Sequence, residues 1–247
     1  MRIIISPAKT MTVNNDVFVH RQMPKFIEES KVVLDYLQGL SYEALKSIWK
    51  SSDNLAKKNF ARIENMDLYN NLTPAIFSYE GLQYQYMGAS IFTNKELDYV
   101  EEHLRILSGF YGILRPFDGI VPYRLEMQAK FQDWDYETLY EFWHDKIAKD
   151  IFAETQCIIN LASVEYSKVV SNYLPENTQF INCVFGELIE GRVIQKATLL
   201  KMARGEMIRF MAENNIERGE DIKGFDRLDY VFKAELSDAG NYVFIKR

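Results

Sequence analysis

The chain has 247 residues and a formal net charge of −6, with 47% hydrophobic and 26% charged residues. This composition is ordinary for a globular protein, and the acidic balance excludes unspecific polyanion binding by the whole surface. No apolar run reaches the roughly 18 residues that span a bilayer, and residues 1–5 are too short for a signal peptide. We therefore expect a cytoplasmic protein without membrane contact.

The first half of the chain alternates predicted strands with predicted helices. Residues 1–5 read as a short buried strand that ends at Pro7, because proline cannot donate a ladder hydrogen bond. Glycine, serine and asparagine at the expected caps mark the helices that follow. The predicted helices cover residues 24–37, 41–50, 52–63 and 94–107, and a predicted strand covers residues 75–79.

The second half contains helices, one buried strand and the predicted hairpins. The predicted helices cover residues 138–152, 163–173 and 199–214, and the predicted strands cover residues 157–162, 180–188, 192–198, 230–236 and 241–246. Glu190 and Gly191 occupy the turn of the first hairpin. Strands that alternate with helices early and form hairpins late predict an α/β fold, a single compact mixed domain over residues 1–247.

The most distinctive segment covers residues 103–127 and combines two glycines with three arginines. Gly109 and Gly112 allow a tight turn after a helix-like stretch, and exposed N–H groups of such a turn bind phosphate. The arginines are Arg105, Arg115 and Arg124. A polyanion-contacting surface is one interpretation. The other is a structural turn between buried helices, with the arginines in ion pairs.

The loop after the first strand is a second candidate for phosphate contact. Lys9 supplies a positive charge, and Ser6 and Thr10 supply hydroxyls, at the carboxyl end of a strand where α/β proteins build sites. The glycines of a Walker loop are missing. The alternative is an exposed lysine in a turn.

A third candidate is a basic face between residues 192 and 209, which hold five cations and one anion. Arg192 and Lys196 share a face of the predicted strand. Three further cations share one side of the next predicted helix, and they are Lys201, Arg204 and Arg209. Such cations neutralise phosphates, although a solvated helix face with ion pairs gives the same pattern.

Two carboxylates are placed for acid–base chemistry. Glu126 lies two residues from Arg124 and is able simply to pair with it, and Glu165 begins a helix after a buried strand. The three histidines have no metal-ligand spacing, so we expect no metal and no cofactor. Cys157 and Cys183 lie in apolar runs and are expected to be buried free thiols. A peroxide-sensing pair is the alternative.

Several motifs resemble the YaaA family of peroxide-stress proteins. They are Ile5-Ser-Pro-Ala-Lys-Thr-Met11, Ser52-Asp-Asn-Leu-Ala56, the glycine-bearing run from His103 to Met127, Ile159-Asn-Leu-Ala-Ser163 with Glu165-Tyr166, and Ala203-Arg-Gly205 with Arg209-Phe210. The resemblance implies an unusual, non-Rossmann α/β fold. It also implies duplex-DNA binding through a positively charged cleft and a helix-hairpin-helix element. We place that element at residues 104–114, with residues 217–225 (Gly219, Gly224) as a second candidate.

The leading hypothesis is a non-enzymatic DNA-binding protein of the peroxide response. It would grip backbone phosphates of double-stranded DNA without reading bases, and would shield DNA or recruit DNA-repair proteins. The expected contacts are Lys9, Arg105, Ser108, Gly109, Gly112, Arg115, Arg124, Lys201, Arg204 and Arg209.

The alternative is an enzyme acting on a nucleotide or nucleic acid, with Lys9, Arg124, Glu126, Asn160 and Glu165 around one pocket. Of these, Lys9, Glu126 and Glu165 would be catalytic. A narrow pocket favours the enzyme, and a groove of duplex width favours the binder.

Overall fold

A mixed eight-stranded sheet forms the centre of the computed structural model, which describes residues 1–14 and 18–247. The strands are β1 (Arg2–Ile5), β2 (Thr10–Met11), β3 (Thr73–Pro74), β4 (Tyr79–Glu80), β5 (Leu104–Ser108), β6 (Gly112–Leu114), β7 (Gly119–Ile120), β8 (Cys157–Leu161), β9 (Gln179–Ile189), β10 (Arg192–Ile194), β11 (Tyr230–Phe232) and β12 (Asn241–Lys246). The helices are α1 (Ile27–Gln38), α2 (Tyr42–Trp49), α3 (Asp53–Glu64), α4 (Ala75–Ser78), α5 (Leu82–Met87), α6 (Asn94–His103), α7 (Leu139–Trp143), α8 (Lys146–Glu154), α9 (Val164–Ser171) and α10 (Ala197–Glu213).

The sheet has the strand order β11-β12-β9-β8-β1-β5-β6, and β10 pairs with β9 outside this path. The five strands from β12 to β5 in that order run parallel, whereas β6, β10 and β11 pair antiparallel with their neighbours. From β1 the chain continues to β5 on one side of the sheet and later to β8 on the other. The carboxyl end of β1 is therefore a topological switch point, where open α/β sheets form crevices.

Strand β1 lies between two other strands of the sheet, and both of its faces are covered. Ile3, Ile4 and Ile5 have no solvent exposure. Ile3 pairs with Leu104 of β5 and with Ile159 of β8. A strand with both faces covered has a continuous apolar sequence, as the first predicted strand does.

The predicted helix over residues 94–107 is wrong in its last turn. Helix α6 ends at His103, and β5 follows at once with all five residues buried. A short apolar run fits a buried helix or a buried strand equally well, and pairing with β1 decides in favour of the strand. Thr93 rather than Asn94 is the N-cap, and it forms a capping box with Glu96.

The predicted helix-hairpin-helix placements are also wrong. Residues 104–114 form the antiparallel hairpin β5–β6, and Gly109 and Gly112 are buried rather than open to a phosphate. The second candidate contains the 3₁₀ helix Gly219–Gly224, with Gly219 packed close to Ile181. Within the described ranges, neither segment places a hairpin between two α-helices.

Three smaller predictions need correction. The predicted strand over residues 75–79 is mostly the single helical turn α4. The predicted helix over residues 138–152 is divided into α7 and α8 at His144, which has a φ of 43°. The predicted strand over residues 230–236 ends at Phe232, and the 3₁₀ helix Ala234–Leu236 follows.

The remaining predicted elements are confirmed within a few residues. Among them are the first three helices, the buried strand β8 with α9 after it, the β9–β10 hairpin and helix α10. Together they give a single compact mixed α/β domain of non-Rossmann topology. Among the described residues, no helix has both the length and the apolar character needed to cross a membrane.

Helix α10 packs directly on α5, and Gly205 makes this close contact possible. A Cβ atom at Gly205 would lie 2.3 Å from the Gln83 carbonyl oxygen and 2.8 Å from the Tyr86 Cβ. Backbone atoms on both sides leave little room for adjustment. Because Lys201 and Arg204 lie on the same helix, this contact also fixes their position.

We expect Gly205→Ala to lower the free energy of unfolding by about 2–3 kcal/mol, because the added methyl group separates the two helices. Urea denaturation of the purified variant would measure the change. Gly224→Ala is the matched control, since its nearest neighbour would be the Phe210 ring at 3.9 Å. If Gly205→Ala and the wild type had the same free energy of unfolding, α5 and α10 would be able to move apart without loss of stability.

Candidate functional site

The carboxyl edge of the parallel strands holds a cavity of about 440 Å³. Five parts of the chain line it: the loop after β1, residues 80–84 at the start of α5, residues 123–126, the first turn of α9, and α10 through Lys201 and Arg204. The cavity therefore lies at the switch point of the sheet. Its volume is within the range of small-molecule pockets and far below a groove that holds a duplex.

Hydrogen bonds fix the loop after β1 against two other parts of the cavity wall. The Ser6 hydroxyl accepts from the Ser163 backbone N–H at 2.9 Å and lies 3.2 Å from the Ser163 hydroxyl. The Tyr84 hydroxyl donates to the Ser6 carbonyl at 2.9 Å. These contacts explain why Ser6 serves the architecture of the site, while Lys9 and Thr10 remain exposed at its rim.

The glycine-bearing hairpin supports the segment that carries Arg124 and Glu126. The Tyr123 hydroxyl lies 2.6 Å from the Ser108 hydroxyl and 2.9 Å from the Tyr79 hydroxyl, all in buried surroundings. A Cβ atom at Gly109 would lie 2.8 Å from the Leu125 carbonyl oxygen, so the hairpin and this segment touch through their backbones. Ser108 and Gly109 thus support the cavity wall from behind rather than face a ligand.

A charged chain of three residues crosses the wall of the cavity. Lys9 Nζ lies 3.0 Å from Glu126 Oε1, and Arg124 Nη2 lies 3.1 Å from the same oxygen. The Lys9 side chain is 67% exposed, whereas Arg124 and Glu126 are 12% and 16% exposed. The chain therefore leads from the solvent at the rim into the protein.

Glu165 lies beside this chain in the first turn of α9. Burial, reinforced by the nearby charge of Glu126, raises the pKa of Glu165, although the Gln128 backbone N–H donates to its carboxylate at 3.2 Å. The Tyr140 hydroxyl donates to the Glu165 carbonyl at 2.8 Å and holds this turn in place. The site therefore combines a carboxylate that contacts two cations with a second carboxyl that is harder to ionise.

Helix α10 contributes Lys201 and Arg204 to the cavity. No carboxylate among the described residues lies within ion-pair distance of either side chain. In residues 1–14 and 18–247, four buried side-chain nitrogen or oxygen atoms have no hydrogen-bond partner, and two of them are Nε of Arg124 and Nε of Arg204. Burial also lowers the pKa of Arg204 to about 10. Both arginines line the cavity, and the Nε atom of each is a buried donor without a partner among the described residues.

The inner wall of the cavity is aromatic. Tyr84, Tyr123 and Tyr166 line it and are each at most 7% exposed. Cations with solvent access lie at the mouth, and the nearly buried rings lie behind them. This arrangement suits a ligand with one anionic end and one flat, apolar part.

The structure does not bring every predicted phosphate contact to the cavity. Arg105 is 3% exposed and donates to Glu154 at 2.6 Å, and Arg115 contacts the same carboxylate at 3.2 Å. Arg209 pairs with Glu213 at 2.7 Å. These three arginines are therefore in ion pairs, which is the structural interpretation that the sequence also allowed. The buried Ser108, Gly109 and Gly112 likewise present no phosphate-binding turn.

The other residues predicted for the basic face and for the pocket do not line the cavity. The predicted strand face of Arg192 and Lys196 is wrong, because β10 ends at Ile194 and Lys196 is the N-cap of α10. Lys196 pairs with Glu187 at 2.7 Å, while Arg192 is exposed on the β9–β10 hairpin. Asn160 donates to the Asn182 side chain and accepts from the Ala162 N–H, each at 2.9 Å, so it joins β8 to β9 beneath the site. Lys9, Arg124, Glu126, Glu165, Lys201 and Arg204 are the predicted residues that converge.

The cysteines and histidines lie apart from this chemistry. Burial raises the pKa of Cys157, and raises that of Cys183 to about 12, so both are thiols rather than reactive thiolates near neutral pH. The His103 ring contacts the Met1 carbonyl at 3.0 Å in a packed position. In the part of the chain that the structure describes, no three His, Cys, Asp or Glu side chains group as a metal site.

Sequence reasoning missed the contribution of residues 80–84. Glu80, Gln83 and Tyr84 line the cavity, although the segment carries no motif that distinguishes it from an ordinary core helix. Gly81 was the available signal, because a Cβ there would lie 3.3 Å from the Ala8 Cβ in the loop after β1.

Comparisons with known proteins agree over the whole chain. A family model described as peroxide stress protein YaaA matches residues 1–236. A protein of Agathobacter rectalis is 50% identical over 247 residues, covering 100% of this chain and 99% of the relative. A protein of Pediococcus pentosaceus is 50% identical and one of Desulfitobacterium hafniense is 48% identical, each over 246 residues and with 100% of this chain and 98% of the relative covered. All three relatives have the name UPF0246 protein, which describes no activity.

Proposed function

Because the chain belongs to the peroxide stress protein YaaA family, we propose that it acts in the response to hydrogen peroxide by binding DNA through backbone phosphates at this cavity. The binding unit is the set Lys9, Arg124, Lys201 and Arg204, which differs from the broad basic surface expected from the sequence. The hairpin and the ion-paired arginines have structural roles in this proposal.

One observation carries the proposal: the buried Nε atoms of Arg124 and Arg204 have no hydrogen-bond partner among the described residues. A buried guanidinium donor without an acceptor costs free energy, and a bound ligand is one source of the missing acceptor. Phosphate oxygens match the planar guanidinium group, and DNA supplies them in a continuous row. Because the overall charge of −6 disfavours DNA on the rest of the surface, we expect binding to be confined to this cavity.

Binding of labelled duplex DNA across a salt series tests the proposal. For Lys201→Ala/Arg204→Ala we expect the slope of log affinity against log salt to fall by about two, because two phosphate contacts are lost. The matched control is Lys223→Ala/Arg227→Ala, which removes two cations outside the cavity that pair with Glu220 and Glu213. Equal weakening by both double variants would show binding to general charge rather than to the cavity. No binding by the wild type at low salt would overturn the proposal.

The affinity for DNA should depend on pH through Glu165. Its raised pKa means that the side chain becomes charged above the ordinary carboxyl range near 4.3, and the new negative charge then opposes the phosphates. Affinity should therefore fall roughly three- to tenfold as pH rises through this transition. The phosphodiester charge stays constant over the same range. In Glu165→Gln the affinity should be nearly independent of pH, and an unchanged profile in that variant would exclude Glu165 as the cause.

A cellular experiment tests the link to peroxide. A strain without this protein should lose viability in hydrogen peroxide, and the wild-type gene should restore survival. The Lys201→Ala/Arg204→Ala gene should fail to restore it if DNA binding at the cavity protects the cell. Survival equal to that of the parent strain would contradict a role in peroxide protection.

A second candidate function is an enzyme that acts on a nucleotide or nucleic acid at the same cavity. The small-molecule size of the cavity favours it, because a narrow pocket is more typical of an enzyme than of a duplex-binding groove. The raised pKa of Glu165 beside Glu126 adds to this, because two carboxyls in different environments are suited to act as acid and base. Incubation with labelled nucleotides and DNA, followed by separation of products, would reveal turnover. Turnover by the wild type that disappears in Glu165→Gln would establish this candidate, and intact substrates would exclude it for the compounds used.

A further inference from the structure

The shape of the cavity restricts which part of DNA is able to enter it. Its volume of about 440 Å³ is that of a small-molecule pocket. A paired and stacked duplex has no single flat unit that fits into such a space. One nucleotide that has left the stack does present a phosphate, a sugar and a flat base within these dimensions.

The charges of the cavity differ between its α10 side and its α9 side. Lys201 and Arg204 come from α10. Glu126, which two cations contact, and Glu165 come from residues 123–126 and from α9, and Glu80 before α5 is a third carboxylate in the lining. Glu126 and Glu165 line the same cavity, and the backbone N–H of Gln128, two residues after Glu126, donates to the Glu165 carboxylate at 3.2 Å. A ligand that is anionic throughout would be repelled by the carboxyl side. A ligand with a phosphate at one end and hydrogen-bond donors at the other suits both sides.

The inner wall adds an apolar part to this recognition pattern. Tyr84, Tyr123 and Tyr166 line the cavity and are each at most 7% exposed. Aromatic rings bind bases without regard to sequence, and carboxylates accept hydrogen bonds from the amino groups of bases. Phosphate, flat ring and amino donors occur together in a nucleotide.

Starting from the proposed binding of DNA, we propose that the cavity receives one unpaired nucleotide of the DNA chain. Its phosphate, like a backbone phosphate of paired DNA, contacts Lys201 and Arg204, its base lies along the wall that contains the tyrosines, and donors on the base face Glu126 and Glu165. The paired DNA on either side remains outside, near Lys9 and Lys201. The protein would therefore recognise DNA in which a base is already unstacked, since the cost of removing it from the duplex is then smallest.

Three DNA probes of one sequence test this inference by fluorescence anisotropy. The first is fully paired, the second has one bulged nucleotide, and the third has a bulged abasic sugar-phosphate in its place. We expect the wild type to bind the bulged nucleotide about tenfold more tightly than the paired duplex, because part of the unstacking cost, about 1.4 kcal/mol for this ratio, is saved. The abasic bulge should lose most of this preference, since it is equally flexible but has no base.

A variant that fills the cavity tests whether the preference for the bulged nucleotide arises there. Thr10→Trp places a large ring at the cavity rim, where Thr10 is exposed. It should bind all three probes with similar affinity. Val13→Trp is the matched control, because Val13 is 51% exposed in the same segment and does not line this cavity. It should keep the wild-type preference for the bulged nucleotide.

The outcomes distinguish this inference from the proposed function. Equal affinity of the wild type for all three probes would overturn the inference and leave DNA binding intact. A preference that persists equally in Thr10→Trp, when that variant is folded by circular dichroism, would also overturn it. Binding of a free nucleoside monophosphate with no binding of any DNA probe would overturn both. A preference for the bulged base that Thr10→Trp removes and Val13→Trp keeps would support both.

Discussion

Replacing Glu154 with methionine is expected to lower the free energy of unfolding by about 3–5 kcal/mol. Glu154 accepts contacts from Arg2 at 2.7 Å, from Arg105 at 2.6 Å and from Arg115 at 3.2 Å. Arg105 is 3% exposed, so the variant would leave its charge buried without a carboxylate. Methionine keeps the length of the side chain and removes only its acceptors.

Glu102→Met is the control for this prediction, because Glu102 also pairs with Arg2 but is 64% exposed. It should change the stability by well under about 1 kcal/mol. Guanidinium denaturation of both variants gives the comparison. Similar small losses in the two variants would show that the backbone carbonyls to which Arg105 also donates are sufficient to hold it.

The contribution of Glu154 should also depend on pH. Burial alone would raise the pKa of Glu154, but the hydrogen bonds and charges of Arg2 and Arg105 lower it overall. A carboxyl with a lowered pKa stabilises the fold above its unfolded value near 4.3 and loses this effect as pH falls through the folded value. The difference between wild type and Glu154→Met should therefore be full at pH 7 and decrease below about pH 4.

Replacing Arg204 with methionine is expected to change binding and stability in opposite directions. The affinity for duplex DNA at low salt should fall about tenfold or more, because a guanidinium–phosphate contact in partly buried surroundings is lost. The free energy of unfolding should rise by up to about 1 kcal/mol, because a half-buried guanidinium group with an unpaired, buried Nε is replaced by an apolar side chain of similar length. A residue that costs stability is expected where its charge serves a ligand.

Arg209→Met is the matched control on the same helix. Arg209 pairs with Glu213 at 2.7 Å and does not line the cavity, so its loss should leave the affinity for DNA within about twofold and lower stability slightly. Thermal denaturation measures the stability of the two variants, and fluorescence anisotropy titrations measure their affinity for DNA. If Arg204→Met lowers affinity and stability together, Arg204 is a structural residue rather than a binding residue.

Part of the candidate site was predictable from the sequence, because side chains that follow neighbouring parallel strands lie at the same edge of a sheet. Lys9 follows β1 and Glu165 follows β8, and these two strands are neighbours in a parallel arrangement. Their following loops must then meet at one edge of the sheet. Arg124 and Glu126 were recognised by their spacing of two residues, which does bring them together.

The fate of the glycine-bearing segment was not predictable from local pattern. Leu97, Val100, Leu104 and Leu107 have helical spacing, yet the last two belong to a strand in which every residue is buried. Pairing of β5 with β1, about 100 residues earlier in the chain, overrides the local period. Glu154, the partner of Arg105, is 49 residues away in sequence, so its contact follows only from the tertiary fold.

The NMR signals of the arginine Nε–H groups test the central claim most directly. Nε of Arg124 and of Arg204 are buried without a partner among the described residues, so a phosphate that binds there should shift both signals. Nε of Arg105 already donates to Glu154 at 3.0 Å and should remain unchanged as an internal reference. We predict that titration with duplex DNA moves the Arg124 and Arg204 signals and leaves that of Arg105 in place. Saturation with DNA that leaves all three signals unmoved would contradict phosphate binding at the cavity.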